Sequence, residues 1–316
     1  MAEPHAWGRH RPDLARASSG RVWQTGGMDV ITDERCLAYH LPGHPERPSR
    51  VKDTVAALRS QDELEIEWLK PGQPADEVLL RGHSRAHLQA LRSPDRDFDG
   101  DTPAYPAIDT HARRAVGGAL DALALALENR TVLSLLRPPG HHATRNRAMG
   151  FCYLSSIGIS VLDAAARLGR RIAVFDFDVH HGNGTEALLQ DQEQVAFFSV
   201  HQHPCYPGSG VTNVGSNCFN FPVPPRTPRD EYLGVLRRAL QSLVRWKPDL
   251  IAVSAGFDAY ARDPIAQETL EAEDFFALGA DLQAQGIPFY SVLEGGYSDD
   301  LPELVLAYLR GIQSRK

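Results

Sequence analysis

Val174-Phe175-Asp176-Phe177-Asp178-Val179-His180-His181-Gly182-Asn183-Gly184 is the stretch on which the reading of this chain turns. The apolar residues Ile172-Ala173-Val174-Phe175 lead straight into it, as a buried strand would. Asp176, Asp178 and His180 alternate, so on an extended backbone, whose side chains repeat every second residue, they point the same way. Two carboxylates and an imidazole at the end of a buried strand are costly to desolvate unless a metal or other partners compensate. A solvated turn would account for one aspartate but not for the cluster. A metal site is the expectation.

The same grammar repeats along the chain. Residues 132–136, 172–175, 195–200, 250–254 and 288–293 read as short apolar strands. Helix-like segments lie at 112–127, 157–168, 231–246 and 272–285. Alternating strands and helices predict parallel pairing with right-handed crossovers. Each strand is followed by residues suited to chemistry: Arg137-Pro138-Pro139-Gly140-His141-His142, the Asp/His cluster, His201 to Gly208, Ala255-Gly256-Phe257-Asp258, and Glu294-Gly295-Gly296-Tyr297. Ligands bind outside the carboxyl ends of the strands in open parallel sheets, so these loops should converge on one crevice.

The bulk properties narrow the class. A chain of 316 residues with 42% hydrophobic content can bury a large core, and no linker divides it. The expected organisation is a flexible extension, residues 1–27, followed by one catalytic domain, residues 28–316, with a natural start near Met28. The extension holds Arg9, Arg11, Arg16 and Arg21 without the apolar stretch of a signal peptide. The longest apolar run, residues 119–127, is short and interrupted by Asp121, so no membrane span is expected. Cys36, Cys152, Cys205 and Cys218 form no CxxC pair, and a reducing cytoplasm fits best. A net charge of −7 argues against nucleic-acid binding and is compatible with a cationic substrate.

Asp178, His180 and Asp258 can offer a metal two carboxylates and one imidazole, with positions left open for water and substrate. That is the catalytic arrangement for Zn2+, and the oxygen-rich set also accepts Fe2+ or Mn2+. His141 and His142 can supply a general base for water and an acid for a leaving amine, oriented by Asp176 and Asn183. The Tyr297 hydroxyl can stabilise a tetrahedral oxyanion, and Phe151 and Tyr206 can line a narrow apolar channel.

Taken together, RPPGHHA at 137–143, GFC at 150–152, DFDVHHGNGT at 176–185, YPGSG at 206–210, SAGFDAY at 254–260 and LEGGY at 293–297 resemble the zinc-dependent histone deacetylase superfamily, in its order and spacing. The resemblance runs from about Met28 to the C-terminus. It implies an α/β, single-domain arginase/deacetylase-like fold with a central, mostly parallel β-sheet and helices on both faces. It also implies a metal-dependent amidohydrolase that removes acetyl or other short acyl groups through metal-activated water. By that similarity Asp178, His180 and Asp258 hold Zn2+, His142 is the base and acid, His141 its electrostatic companion oriented by Asp176, and Tyr297 polarises the carbonyl. A structural K+ or Na+ would draw on Asp176, Asp178, His180, Ser199 and Val200, largely through backbone oxygens. Asp101 matches a rim acid that holds substrate backbone, Arg50 an arginine in an internal cavity below the metal, and Gly150, Gly295 and Gly296 join the channel.

Asn183, where other branches carry Asp, resembles the class II branch and its bacterial relatives. Departures occur at Tyr153-Leu154-Ser155-Ser156 and in a shortened segment after Gly210, and Arg226 stands at a customary glycine. Ile265, after Asp263-Pro264, and a compact rim favour acyl-lysine in a peptide or protein, or a small acylated amine, over a polyamine-selective site. An acetylpolyamine amidohydrolase is the nearest alternative. A dinuclear manganese ureohydrolase would want a further carboxylate near Asn183, and a silent acyl-lysine binder would have no use for His142. Oligomeric state is not legible.

Overall fold

Eight parallel strands form one sheet in the order β2-β1-β3-β8-β7-β4-β5-β6. They are β1 (Met28–Ile31), β2 (Ile66–Leu69), β3 (Thr131–Ser134), β4 (Ile172–Asp176), β5 (Val195–Gln202), β6 (Cys218–Val223), β7 (Leu250–Ala255) and β8 (Phe289–Leu293). The structure, a computed structural model, describes residues 27–314, so the expected N-terminal extension lies outside the described residues except for Gly27. Five strands were expected from apolar runs, and they are the five contiguous central ones, β3-β8-β7-β4-β5. Strands buried on both faces read as continuous Val/Ile/Leu/Phe runs. Peripheral β2 and β6 carry Glu67, Asn220 and Pro222 and are only partly buried, so their runs are broken.

Helices α1 (Ser49–Ser60), α2 (Asp76–Gly82), α3 (Arg85–Arg92), α4 (Ile108–Leu127), α5 (Ser156–Leu168), α6 (Asn183–Leu189), α7 (Arg229–Arg245), α8 (Ala272–Gln283) and α9 (Leu301–Gln313) complete the architecture. Neighbouring residues of β8 show that both faces are covered. The Tyr290 hydroxyl bonds Ser160 on α5 at 2.7 Å, and Ser291 bonds the Tyr308 hydroxyl on α9 at 2.8 Å. Successive strand residues face opposite sides, so α5 and α9 pack on opposite faces. No helix among the described residues is long and apolar enough to cross a membrane.

Asn217 ties the α6–β5 connection to the edge. Its buried Nδ2 donates to the carbonyls of Leu189, Gln192 and Val195 at 2.7, 3.2 and 3.0 Å, while Oδ1 accepts from Asp191 N–H at 2.9 Å. Asn217→Ala removes all of these bonds and leaves the buried Val195 carbonyl without its side-chain donor. The variant is expected to lose about 2–4 kcal/mol of stability, read by urea denaturation, with the slope unchanged. A midpoint equal to wild type would mean that the connection does not depend on this clip.

Candidate active site

The loops after β3, β8, β7, β4 and β5 meet at one end of the sheet. The alternation expected across Asp176, Asp178 and His180 does not continue as a strand, because β4 ends at Asp176. Each aspartate instead accepts the backbone N–H two residues on: Asp178 N–H to Asp176 Oδ1 at 3.2 Å, and His180 N–H to Asp178 Oδ1 at 2.9 Å. Such local side-chain bonds compete with the sheet ladder and tighten the chain into turns. Asp176 is thereby sent to His141, and Asp178 and His180 to a different partner.

That partner is Asp258. One donor atom each from Asp178, His180 and Asp258 lie within 4.8 Å of one another, and all three residues are buried. His180 Nδ1 is 3.1 Å from both Asp178 Oδ1 and Asp258 Oδ2. Asp258 Oδ1 accepts from Val179 N–H at 2.9 Å, and Asp178 Oδ2 from Gly295 N–H at 2.6 Å. Burial opposes ionisation of Asp178, but His141 and His180 outweigh it and hold its pKa below the usual carboxylate range. Burial and then the Asp178 charge push Asp258 up, so two carboxylates share a site with imidazoles as their ion-pair partners. A divalent cation fits this donor set, because it neutralises both carboxylates where the fold has buried them.

His141 and His142 occupy the turn after β3. Glu294 Oε2 accepts the N–H groups of Gly140 and His141 at 2.7 and 3.1 Å, which ties this turn to the loop after β8. His141 Nδ1 lies 3.2 Å from Asp176 Oδ2. Burial works against a charged His141, yet Asp178 and Asp176 prevail and raise its pKa to about 10. His142 behaves in the opposite way. Burial and then the neighbouring His141 and His180 hold its pKa well below the ordinary value, so it is neutral. Its Nδ1 is 2.8 Å from Asn183 Oδ1, an atom that only accepts, so the proton sits on Nδ1 and Nε2 keeps its lone pair.

A cavity of about 460 Å³ opens above these groups, lined by His44, Pro45, Gly100, Asp101, His142, Gly150, Phe151, His180, Cys205, Tyr206, Ile265 and Tyr297. Of the expected channel residues, Asp101, Gly150, Phe151, Tyr206 and Ile265 are therefore there. Gly150 has φ +55°, and a Cβ on it would lie 2.5 Å from His142 and 2.8 Å from Tyr206, which only glycine avoids. Gly295 and Gly296 are not in the wall. A Cβ on Gly295 would sit 2.0 Å from Asp258 Oδ2, so its absence lets the two carboxylates approach, and the Gly296 carbonyl accepts from Arg50 Nε at 2.7 Å.

Arg50 is buried beneath the loop after β8. It also bonds the Glu294 carbonyl and lies 4.6 Å from the Tyr297 ring centre, supporting that loop from beneath. Tyr297 is held by its backbone, its N–H donating to Asp263 Oδ2 at 2.8 Å and its carbonyl accepting from Arg47 at 2.9 Å. Burial raises the pKa of its hydroxyl well above the ordinary value, which keeps it a donor. The β4/β5 register sets Asp176 beside Ser199, with Val200 next along the strand. Arg226 has φ +61°, the left-handed backbone that explains a customary glycine there.

Sequence reasoning missed His44, Pro45, Gly100 and Cys205 in the wall, and Glu294 and Asp263 as supports. His44 reaches the Asp101 carbonyl with Nε2 at 3.0 Å and sits edge-on to Phe151, a contact spanning 57 residues that no local pattern announces. Cys205 lay within the strand-following run already singled out and was its one available signal.

A family model described as the histone deacetylase domain matches residues 44–312. The chain is 37% identical over 304 residues to a probable deacetylase of Methanothermobacter thermautotrophicus, with 92% of each chain covered. It is 36% identical over 305 residues to a histone deacetylase-like amidohydrolase of Pseudomonas aeruginosa, covering 88% of this chain and 80% of that one. The crystal structure of an acetylpolyamine aminohydrolase from Burkholderia pseudomallei matches with a TM-score of 0.82 at 25% identity, over 90% of this chain and 98% of the other.

Proposed function

We propose, because this chain belongs to the histone deacetylase domain family, that it is a zinc-dependent amidohydrolase removing acetyl or other short acyl groups from lysine side chains or a related acylated amine. One observation carries this reading. His142, His180 and Tyr297 line the same cavity, so a base, a metal-ligating imidazole and a hydroxyl donor would be available to one acyl group.

A divalent metal held by Asp178, His180 and Asp258 would polarise the acyl carbonyl and acidify water. His142 Nε2 takes the proton of the attacking water and returns it to the leaving amine, while Asn183 holds Nδ1–H in place. Tyr297 donates to the oxygen that becomes negative as the tetrahedral intermediate forms. His141, whose cationic form is favoured by Asp176 at its Nδ1, adds positive charge behind that centre. A K+ or Na+ bound by backbone oxygens of Asp176, Asp178, His180, Ser199 and Val200 would brace the loop. The setting is the reducing cytoplasm expected from the cysteine usage.

The channel mouth favours acyl-lysine in a peptide. Ile265 and Tyr206 are 37% and 38% exposed, and Leu41 is 47% exposed on an adjoining surface that shares Ile265. Hydrolysis of a fluorogenic acetyl-lysine peptide, run beside a panel of acyl chains and acetylpolyamines, tests this. Peptide turnover is expected. Selective turnover of acetylpolyamines would move the assignment to that substrate, and no turnover of any acyl amide would overturn the enzymatic reading.

Asp258→Ala removes one of three ligands, so zinc content and activity are expected to fall together, each by at least the roughly 10–100-fold that loss of an outer partner of a ligand costs. Elemental analysis should find one transition metal per active wild-type chain. Two would indicate the dinuclear ureohydrolase-like reading instead.

The pair His142–Asn183 makes a pH prediction. His142 must be neutral to accept a proton, so the acid limb of kcat/KM follows its protonation. Its depressed pKa places that limb below the ordinary imidazole range. In Asn183→Asp a carboxylate stabilises the imidazolium and raises the pKa, so the limb should move to higher pH. A limb that stays or moves lower, measured at saturating zinc, would remove residue 183 from control of the base.

A further inference from the structure

Asn183 makes two side-chain hydrogen bonds with opposite requirements. Its Oδ1 faces His142 Nδ1 at 2.8 Å, and its Nδ2 donates to the Met149 sulfur at 3.6 Å. A carboxamide can turn over about its last bond, exchanging oxygen and nitrogen with almost no change of shape. The two orientations have different consequences for His142. With oxygen towards Nδ1, the ring is protonated there and Nε2 is free to act on a proton in the channel. With the NH2 group towards Nδ1, that nitrogen must accept, the proton moves to Nε2, and the base is blocked.

A thioether sulfur accepts and never donates, so it favours the NH2 group and disfavours the oxygen. We infer that Met149 is a positioning residue: its sulfur fixes the Asn183 amide, and through it the tautomer of His142. Met149 is itself held in a closed turn, with reciprocal backbone bonds to Cys152 of 3.0 Å in each direction. Gly150 and Phe151, inside that turn, line the channel. The segment that shapes the wall therefore also sets the protonation pattern of the base. A carboxylate at position 183 has no orientation to choose, so the sulfur should matter only beside an amide.

The inference rests on the deacylase reading for the role of His142, but its primary readout does not require turnover. The probe is 15N-histidine-labelled full-length protein, with the His142 signals identified by their loss in His142→Ala. Long-range 15N–1H spectra are expected to show the Nδ1–H form in wild type. Met149→Leu keeps the volume and removes the acceptor. It should show a share of the Nε2–H form, with kcat lowered roughly threefold to tenfold and KM unchanged within about twofold. In the Asn183→Asp background the same substitution should cost nothing further. Met149→Leu with only the Nδ1–H form would overturn the inference, whether or not activity is measurable. So would an equal loss of kcat in both backgrounds, because that pattern belongs to a residue that merely packs. Absence of turnover in wild type beside the expected tautomer shift would refute the deacylase reading and leave the positioning role standing.

Discussion

His142→Ala is expected to lower kcat for acyl-lysine hydrolysis by roughly 10²–10⁴, the span that general acid–base catalysis contributes. The argument is local. His142 is neutral, its Nδ1 is engaged by Asn183, and its other nitrogen belongs to a ring that lines the channel beside His180 and Tyr297. His141 is the poorer base, because Asp176 faces its Nδ1 at 3.2 Å and favours its cationic form. The substitution leaves Asp178, His180 and Asp258 intact, so zinc content should stay at the wild-type level. The space left by the ring should admit free imidazole, and partial recovery of turnover with added imidazole is expected. Near wild-type kcat in a zinc-loaded His142→Ala protein would sink the assignment of the base.

Tyr297→Phe is the second large effect, a fall in kcat of roughly 10²–10³, as for loss of other oxyanion donors. The substitution removes one oxygen and leaves its supports in place. Arg50 still lies under the ring, Phe151 still packs edge-on at 5.6 Å, and the backbone bonds to Asp263 and Arg47 remain. The thermal midpoint and zinc content should therefore match wild type while turnover collapses. Because the interaction develops as the carbonyl oxygen gains charge, KM should move much less than kcat. Equal losses in kcat and thermal stability would mean that the hydroxyl is a packing group, and unchanged turnover would mean that the reaction does not use it.

Much of this protein is legible residue by residue. The central strands announce themselves because strands covered on both faces must be apolar throughout, and the loops that follow them carry the Gly, His, Asp and Tyr that chemistry needs. Asp178, His180 and Asp258, the set proposed to hold the metal, could be singled out from residue type together with the family resemblance, since buried carboxylates beside an imidazole have few inexpensive fates. The edge strands, half-exposed and broken by polar residues, carry no such signature.

Only the tertiary structure decided the rest, because the remaining contacts are made between segments far apart in the chain. The extended geometry read into Asp176, Asp178 and His180 gave way to tight turns, since each aspartate captures a backbone N–H that a strand would have offered to its neighbour. Gly295 looked like channel wall and proved to be the clearance between Asp178 and Asp258, a role set by three loops meeting. The supports of Tyr297 come from Arg47, Arg50 and Asp263, and the wall partner of Phe151 is His44, all from other segments. Residue type determines which side chains are capable of the chemistry. Which nitrogen of His142 is free, and which amide face it meets, follows from the packing of Asn183 against Met149.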